Sequence, residues 1–458
     1  MTTSEFEAGY PTETCAHAVL AEVRRRRAVE AYRFFYPTVS LEGIFQGARD
    51  VGVVDNEATL MIEARPHHVG FTLNSDTPYA GGPFDLRTFG PLVIEVPPGP
   101  LVGLVDDHHH RWLTDVGLPG VFGADGGRHL VLPPGWDGEV PDDDGYDVVR
   151  SDTWTVFCPI RALPVGGDMD KAKRLLSSVR FRPLRGDAPE YEFIDWTAKP
   201  VDCSCLRWED NLEFWRVLHT VIDSEPPIEE MRPMLGMLAE LGIEAGKPFD
   251  PTPAIAQLLT DAARQGRDEM LVSAFASDRP DRITWPDRKW EWAGLRPENG
   301  TFERADSLDL EAKDRWFAQA IVSSPAMFRR AVGQGSLYWL GLRDANGDYL
   351  DGGRSYTLTV PLPVPATLFW SVTAYDAATR SEVIADQDRA ALRSLVEDIA
   401  PDGADSVDLH FGPNPPAEGR DRWIQTVPGR GWFTYFRIYG PEQPAFDGTW
   451  KPGDFRQV

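Results

Sequence analysis

The spacing of hydrophobic positions changes period along the chain, and the changes divide it. From Glu13 to Phe35 the apolar residues Ala18, Val19, Ala21, Val23, Ala28, Val29 and Tyr32 recur at helical spacing. Thr12 or Thr14 can cap this helix, and Pro37 is expected to stop it. From Ala58 to Ala162 the pattern shifts to short runs of period two or of continuous β-branched character, such as "HHVGFTL", "PLVIEVP", "LVGLVDD" and "RHLVLPP", broken by Gly, Pro and Asp clusters. Helical spacing returns after Asp168 in "MDKAKRLLSSV", "NLEFWRVLHTVIDS", "PAIAQLLTDAARQGRDEMLVSAFAS" and "LEAKDRWFAQAIVSS", with a Trp-rich loop, "TWPDRKWEWAGLRPENG", among them. Strand character resumes at Ser336 with "YWLGLRD", "SYTLTVP", "TLFWSVTAYD" and "GWFTYFRIYGP". The pattern predicts an α+β protein. Its expected parts are an N-terminal helical segment (1–54), a first antiparallel β-sandwich (55–167), a helical block (168–335) and a second antiparallel β-sandwich (336–458).

Composition narrows the function. The chain has 458 residues, 42% of them hydrophobic, enough for several cores, and its 39 Pro and 41 Gly fit a turn-rich fold. A net charge of −25 sets the surface against phosphate backbones and anionic lipid, so neither nucleic acid nor membrane is an expected partner. The basic run Arg24 to Arg27 falls inside a helical pattern and reads as a solvated or salt-bridged face. Four scattered cysteines, Cys15, Cys158, Cys203 and Cys205, suit reduced structural thiols better than a disulfide framework. The N-terminus has no apolar targeting core, and no apolar run approaches the roughly 20 residues of a membrane span. A cytoplasmic protein with a small-molecule partner is the expectation, with room for a homodimer.

Several long motifs resemble a known family. "NSDTPYAGGPFDLR", "TDVGLPG", "GGRHLVLPPGWDGEVP" and "YDVVRSDTWTVFCPIRAL" look like the first of two paired domains of unknown function, numbered 1254 and 1214. "LRDANGDYLDGGRSYTLTVPLPVPATLFWSVTAYDAATRS", "DLHFGPNPP", "WIQTVPGRGWFTYFRIYGP" and "TWKPGDF" resemble the second. The resemblance spans nearly the whole chain and implies two β-sandwich domains with helices between and around them. It implies no particular chemistry. It also does not extend to the triplet His108-His109-His110, where the family usually carries aromatic and polar residues.

That triplet, in "LVDDHHHRWLTDVG", is the chain's densest run of chemically versatile side chains. On a strand, alternation would aim His108 and His110 to one side, a geometry that can bind a divalent metal or relay protons. Asp106, Asp115, His67, His68, His129 and His410 are the further ligands on offer. The competing reading is a polar strand end whose imidazoles bond the abundant carboxylates. In "NSDTPYA", Asn74, Ser75, Asp76 and Thr77 can build a turn. Alternatively Asp76 is a general base, Tyr79 donates to substrate, and Asn74 and Thr77 bind it. In "YDAATRS", Arg380 either clamps an anion or forms a buried ion pair with Asp376. Trp423 and Arg437 read as loop and core residues. No nucleophile elbow, phosphate loop, dinucleotide fingerprint or HExxH is present, so no nucleotide cofactor is expected.

These residues point first to a hydrolase or lyase acting on a small or medium polar organic substrate. Its catalytic set would be Asp76, Tyr79, His108, His110 and Asp115, with Trp112 and Arg380 among the substrate contacts and one divalent metal on His108 and His110 as an option. The cleft would lie between the first sandwich and the helical block. Two other readings stay open. One is a carbohydrate- or small-ligand-binding protein using Trp112, Trp136, Trp290 and Trp292. The other is a structural assembly module.

Overall fold

The computed structural model describes residues 6–141, 145–186, 190–295, 301–333, 335–400 and 403–458. The architecture is mixed α+β. Its first helix does not stop at Pro37 but runs Glu13–Asp50, with Pro37 inside it. A proline removes one helical hydrogen bond and crowds the preceding turn. Here tertiary burial outweighs that cost, because Val39, Leu41 and Phe45 beyond the expected stop are all buried. Lys313 also donates to the Phe34 carbonyl at 3.2 Å, close to the break. Thr12 caps the helix by accepting from the Cys15 N–H.

The first β region holds two facing sheets. One has the order Tyr146–Arg150, Gly127–Leu132, Leu92–Val96, Arg180–Pro183. The larger has the order Glu192–Asp195, Ala58–Glu63, Pro78–Gly81, Ile160–Ala162, Leu101–Asp107, Thr155–Phe157, Pro83–Asp85, and Trp112–Gly117 pairs with Leu101–Asp107. Leu92, Ile94 and Val96 share a core with Leu101, Val105, Val156 and Ile160. Alternation therefore sends Val102 and Leu104 to the opposite face. That face is covered too, which explains why "LVGLV" is apolar at nearly every position rather than at every other one.

The expectation of purely antiparallel pairing fails at several edges. Gly127–Leu132 pairs parallel with Tyr146–Arg150, and Ala58–Glu63 pairs parallel with Glu192–Asp195. The block from 168 to 335 is not wholly helical either. It contributes Arg180–Pro183 and Glu192–Asp195 to the first region's sheets and Trp290–Trp292 to a sheet of the second. Its helices Glu213–Ser224, Pro253–Phe275 and Leu310–Phe317 pack on the N-terminal helix in one large core. The end of the Trp-rich loop, 296–300, lies outside the described residues.

The second β region pairs Trp290–Trp292, Ser336–Gly341, Trp432–Pro441, Ala366–Asp376 and Ala391–Arg393 in one sheet. The sheet facing it has the order Trp423–Gln425, Ser406–Gly412, Tyr356–Pro361, Arg456–Gln457. Every residue of Trp432–Pro441 is buried. Trp432, Phe436 and Ile438 face the core between these sheets, whereas Phe433 and Tyr435 join the core of the helices. Tyr435, Arg437 and Tyr439 thus share the face turned away from the second region's own core. Among the described residues no helix is long and apolar enough to cross a membrane.

Candidate functional site

A cavity of about 1000 Å³ opens between the outward face of the larger first-region sheet and the face of the second-region sheet that bears Tyr435, Arg437 and Tyr439. The chain from Trp316 to Met327 closes a third side with Ala320, Ile321, Val322 and Ser324. Strand register fixes the first wall. Tyr79 pairs with Ile62 and with Arg161, and Arg161 pairs with Val102, giving the row Ile62, Tyr79, Arg161, Val102 across the sheet. Two residues along lie Leu60 opposite Gly81 and Leu104 opposite Asp115, with Pro159 between Gly81 and Leu104. All of these line the cavity. The lining is otherwise largely apolar, including Phe71, Leu73, Phe157, Ile321, Met327, Leu368 and Phe369.

The polar groups concentrate where the two walls meet. Arg161 lies over the Tyr79 ring at 5.4 Å, and its guanidinium donates to the Tyr79 hydroxyl at 3.4 Å. On the other wall, Arg437 pairs across the strands with Tyr338 on one side and Ser371 on the other. It donates to the Thr373 hydroxyl at 3.1 Å and to the Thr72 carbonyl at 3.1 Å, and it faces the rings of Tyr435, Tyr375 and Tyr338. Tyr79 and Tyr439 lie close enough to both guanidiniums to hold their protons more firmly, so the two arginines converge on one spot. Among the described residues neither forms an ion pair with a carboxylate. Charged side chains are rarely buried without a partner.

The expected acid motif sits at the edge of this spot. Asn74 lines the cavity and donates to the Tyr439 hydroxyl, while its carbonyl oxygen accepts from the Asp76 N–H at 2.7 Å, as in an Asx turn. Tyr79 lines the cavity. Asp76 lies behind the wall, fully buried, accepting from Ser371 at 2.6 Å with its second oxygen unbonded. Burial raises its pKa, opposed by Ser371 and by Arg437, Arg393 and Arg161. Thr77 is also fully buried, and its hydroxyl has no partner. Neither Asp76 nor Thr77 is on the cavity wall. Glu382, beside Asp76, is pushed up to about 7 by burial.

The histidine triplet is not on a strand. The strand ends at Asp107, and His108, His109 and His110 form the hairpin loop to Trp112–Gly117. The Asp107 carbonyl accepts from the His110 N–H at 3.0 Å, and Asp107 pairs with Arg111 across the loop. His110 has φ +56°, a left-handed conformation in which His, Asn and Asp are enriched among non-glycine residues. This turn defeats the alternation expected of His108 and His110. His108 is clamped between Glu42 and Glu225, each at 2.8 Å, and the two carboxylates raise its pKa to about 9 against the cost of burial. His109 bonds Thr38 at 2.8 Å, and burial lowers its pKa to about 3. His110 lies 3.4 Å from Asp106 and against the Phe317 ring, its pKa also lowered to about 3 by burial.

None of the three histidines lines the cavity, and among the described residues no group of three His, Cys, Asp or Glu could hold a metal ion. His67 and His68 bond the 196–199 backbone, His129 bonds Asp147, and His410 bonds Thr357. Arg380 is held away from ligand by Glu209, at 3.2 and 2.5 Å, and by the Ala318 and Ala378 carbonyls. The expected partner Asp376 instead binds Arg430 at 2.5 Å. Trp112, Trp136, Trp290 and Trp292 do not line the cavity. Asp115 does. Burial raises its pKa to about 6, with Asp106 adding to the rise and Ser324, Trp112 and Arg329 opposing it.

Two family models match the chain. "Protein of unknown function (DUF1254)" covers residues 58–183, and "Protein of unknown function (DUF1214)" covers residues 335–443. The first spans most of the sheet that carries Tyr79, Arg161 and Asp115, and the second spans the strand that carries Arg437. No curated protein matches the chain. A crystal structure of a Vibrio parahaemolyticus protein from structural genomics is similar over 95% of this chain and 100% of its own, with a TM-score of 0.56 at 18% identity, a likeness of fold. An uncharacterised Burkholderia cenocepacia protein aligns over 97% of this chain and 96% of its own, at 13% identity and a TM-score of 0.39.

Proposed function

This chain belongs to the family that pairs the DUF1254 and DUF1214 domains, and we propose that it takes up an amphipathic small molecule between its two β regions. The apolar body of the ligand fills the cavity, and an anionic group, such as a carboxylate or sulfate, meets Arg161 and Arg437. The observation that carries this reading is the pair of guanidiniums on an apolar wall with no carboxylate partner. An unpartnered charge in such surroundings costs several kcal/mol, and a bound anion would offset that cost through charge-assisted hydrogen bonds. Tyr79, Tyr338 and Tyr439 add a rim that can donate to the same anion without competing for charge, whereas the Tyr435 hydroxyl already donates to Gln319. The lining favours an apolar molecule over the polar substrate expected from residue types.

Calorimetric titration with decanoate and with 1-decanol tests the reading. Decanoate should bind at least tenfold tighter, and Arg161→Gln and Arg437→Gln should each remove that advantage. Equal affinity of the two probes for the wild-type protein overturns it. A hydrolase or lyase activity on the bound molecule keeps two members of the expected catalytic set in the cavity, Tyr79 and Asp115, and the Asp115 pKa of about 6 suits proton transfer near neutral pH.

A further inference from the structure

We propose that the cavity is two-ended and that Asp115 receives a hydrogen-bond donor, a hydroxyl or an amine, on the part of the ligand remote from its anionic group. The inference rests on the reading above and adds the second half of the ligand's chemistry. Asp115 stands opposite Leu104, and Arg161 stands opposite Val102 on the other edge of the same strand. They are two strands and two residues apart on one face, roughly 12 Å at ordinary sheet spacings. Between them lie Val102, Leu104 and Pro159, all on the cavity lining and none with a polar side chain. A hydrocarbon spacer fits that stretch of wall.

Asp115 itself is 7% exposed, and its Oδ1 has no hydrogen-bond partner. The groups around it come from three directions. Asp106 on the neighbouring strand repels its charge, Trp112 lies on its own strand, Ser324 lies on the closing segment, and Arg329, also on the cavity lining, lies just beyond it. Ser324 and Trp112 favour the charged form as nearby donors, but neither closes a bond to Oδ1. Oδ1 is enclosed, so a ligand reaches Asp115 on the side of the carboxylate that lines the cavity, and a donor placed there would offset the cost of burying a carboxylate short of hydrogen bonds. A hydroxy- or amino-carboxylate therefore matches the two ends of the cavity.

Calorimetry with decanoate and 10-hydroxydecanoate on the wild-type protein reads this directly, without depending on a variant's folding. The hydroxyl makes the probe more soluble and would by itself weaken binding to an apolar site. Tighter binding of 10-hydroxydecanoate, by about tenfold, is the expected result. Asp115→Leu should abolish the preference, while Asp115→Asn, which keeps an acceptor oxygen, should retain part of it. Equal or weaker binding of the hydroxy acid by the wild type overturns the proposal. If the hydroxy acid binds no tighter than decanoate while both depend on Arg161 and Arg437, only the two-ended cavity has failed. If neither probe binds, the reading beneath it has failed.

Discussion

The hairpin loop at His108 and the cavity wall at Arg161 and Arg437 both hold basic side chains inside the fold, Arg161 partly exposed to the cavity, and they treat them in opposite ways. His108 is enclosed by two carboxylates, one from the N-terminal helix and one from the end of Glu213–Ser224. The loop thereby ties the first sheet to both helices. Arg161 and Arg437 are surrounded by tyrosines and by apolar surface instead. A buried charge that is fully partnered is committed to the fold. One that has no carboxylate bonded to it and faces empty space is available to a ligand. By that criterion the dense histidine run is a structural joint, and two isolated arginines mark the site.

The largest effect should separate the two at once. His108→Ala leaves Glu42 and Glu225 buried without their shared cation, a loss of about 3–5 kcal/mol. Urea unfolding should show a strongly lowered midpoint. Any protein that still folds should bind decanoate as the wild type does, since His108 does not line the cavity. An undiminished midpoint would mean that the clamp is not a joint.

The pH dependence follows from the same clamp. The folded-state pKa of His108 is about 9, above the ordinary 6.5. Its contribution is therefore fully present below pH 6.5 and is lost as pH rises through 9, amounting to about 3 kcal/mol. Stability should fall across that window, and His108→Gln should flatten the decline. A slope identical in His108→Gln would assign it to other groups.

The arginines should respond with the opposite sign. Arg161→Gln removes a charge that has no carboxylate partner, so stability should hold or rise by up to about 1 kcal/mol in the absence of ligand. Anion binding should meanwhile weaken by at least tenfold, about 1.4 kcal/mol. A variant that unfolds in step with its loss of binding would make Arg161 a structural residue like His108.

Much of this contrast was readable in the chain, though not from residue types alone. The alternation of strand and helix periods marked out the two β regions because their core faces recur regularly, and "NSDTPYA" brings Asn74 and Tyr79 onto the cavity lining because its turn closes beside a strand. Arg161 in "CPIRAL" and Arg437 in "WFTYFRIYGP" each carry a signal that residue counting passes over: one charge inside a strand otherwise apolar on both faces. Their convergence depends on two sheets some 275 residues apart in sequence coming face to face, which no local pattern encodes. The parallel edge strands were likewise hidden, since pairing partners are set by tertiary contacts. The triplet misled because strand periodicity was carried past Asp107 into a loop of three residues.

That loop supplies the smallest and most specific test. A three-residue hairpin commonly places its last residue in the left-handed region, and His110 occupies that position at φ +56°. Its ring is buried against Phe317 and Asp106, yet its Nε2 bonds nothing. If backbone conformation is what selects histidine there, asparagine should serve almost as well, because its short polar side chain tolerates the same φ. His110→Asn should then change stability by less than about 1 kcal/mol, whereas a β-branched side chain such as in His110→Val should cost about 1–3 kcal/mol from strain at that φ. Denaturant midpoints of the two variants decide the matter. Equal losses would locate the role of His110 in its ring contacts, and a loss of decanoate binding in His110→Asn would draw the loop into the site from which its geometry separates it.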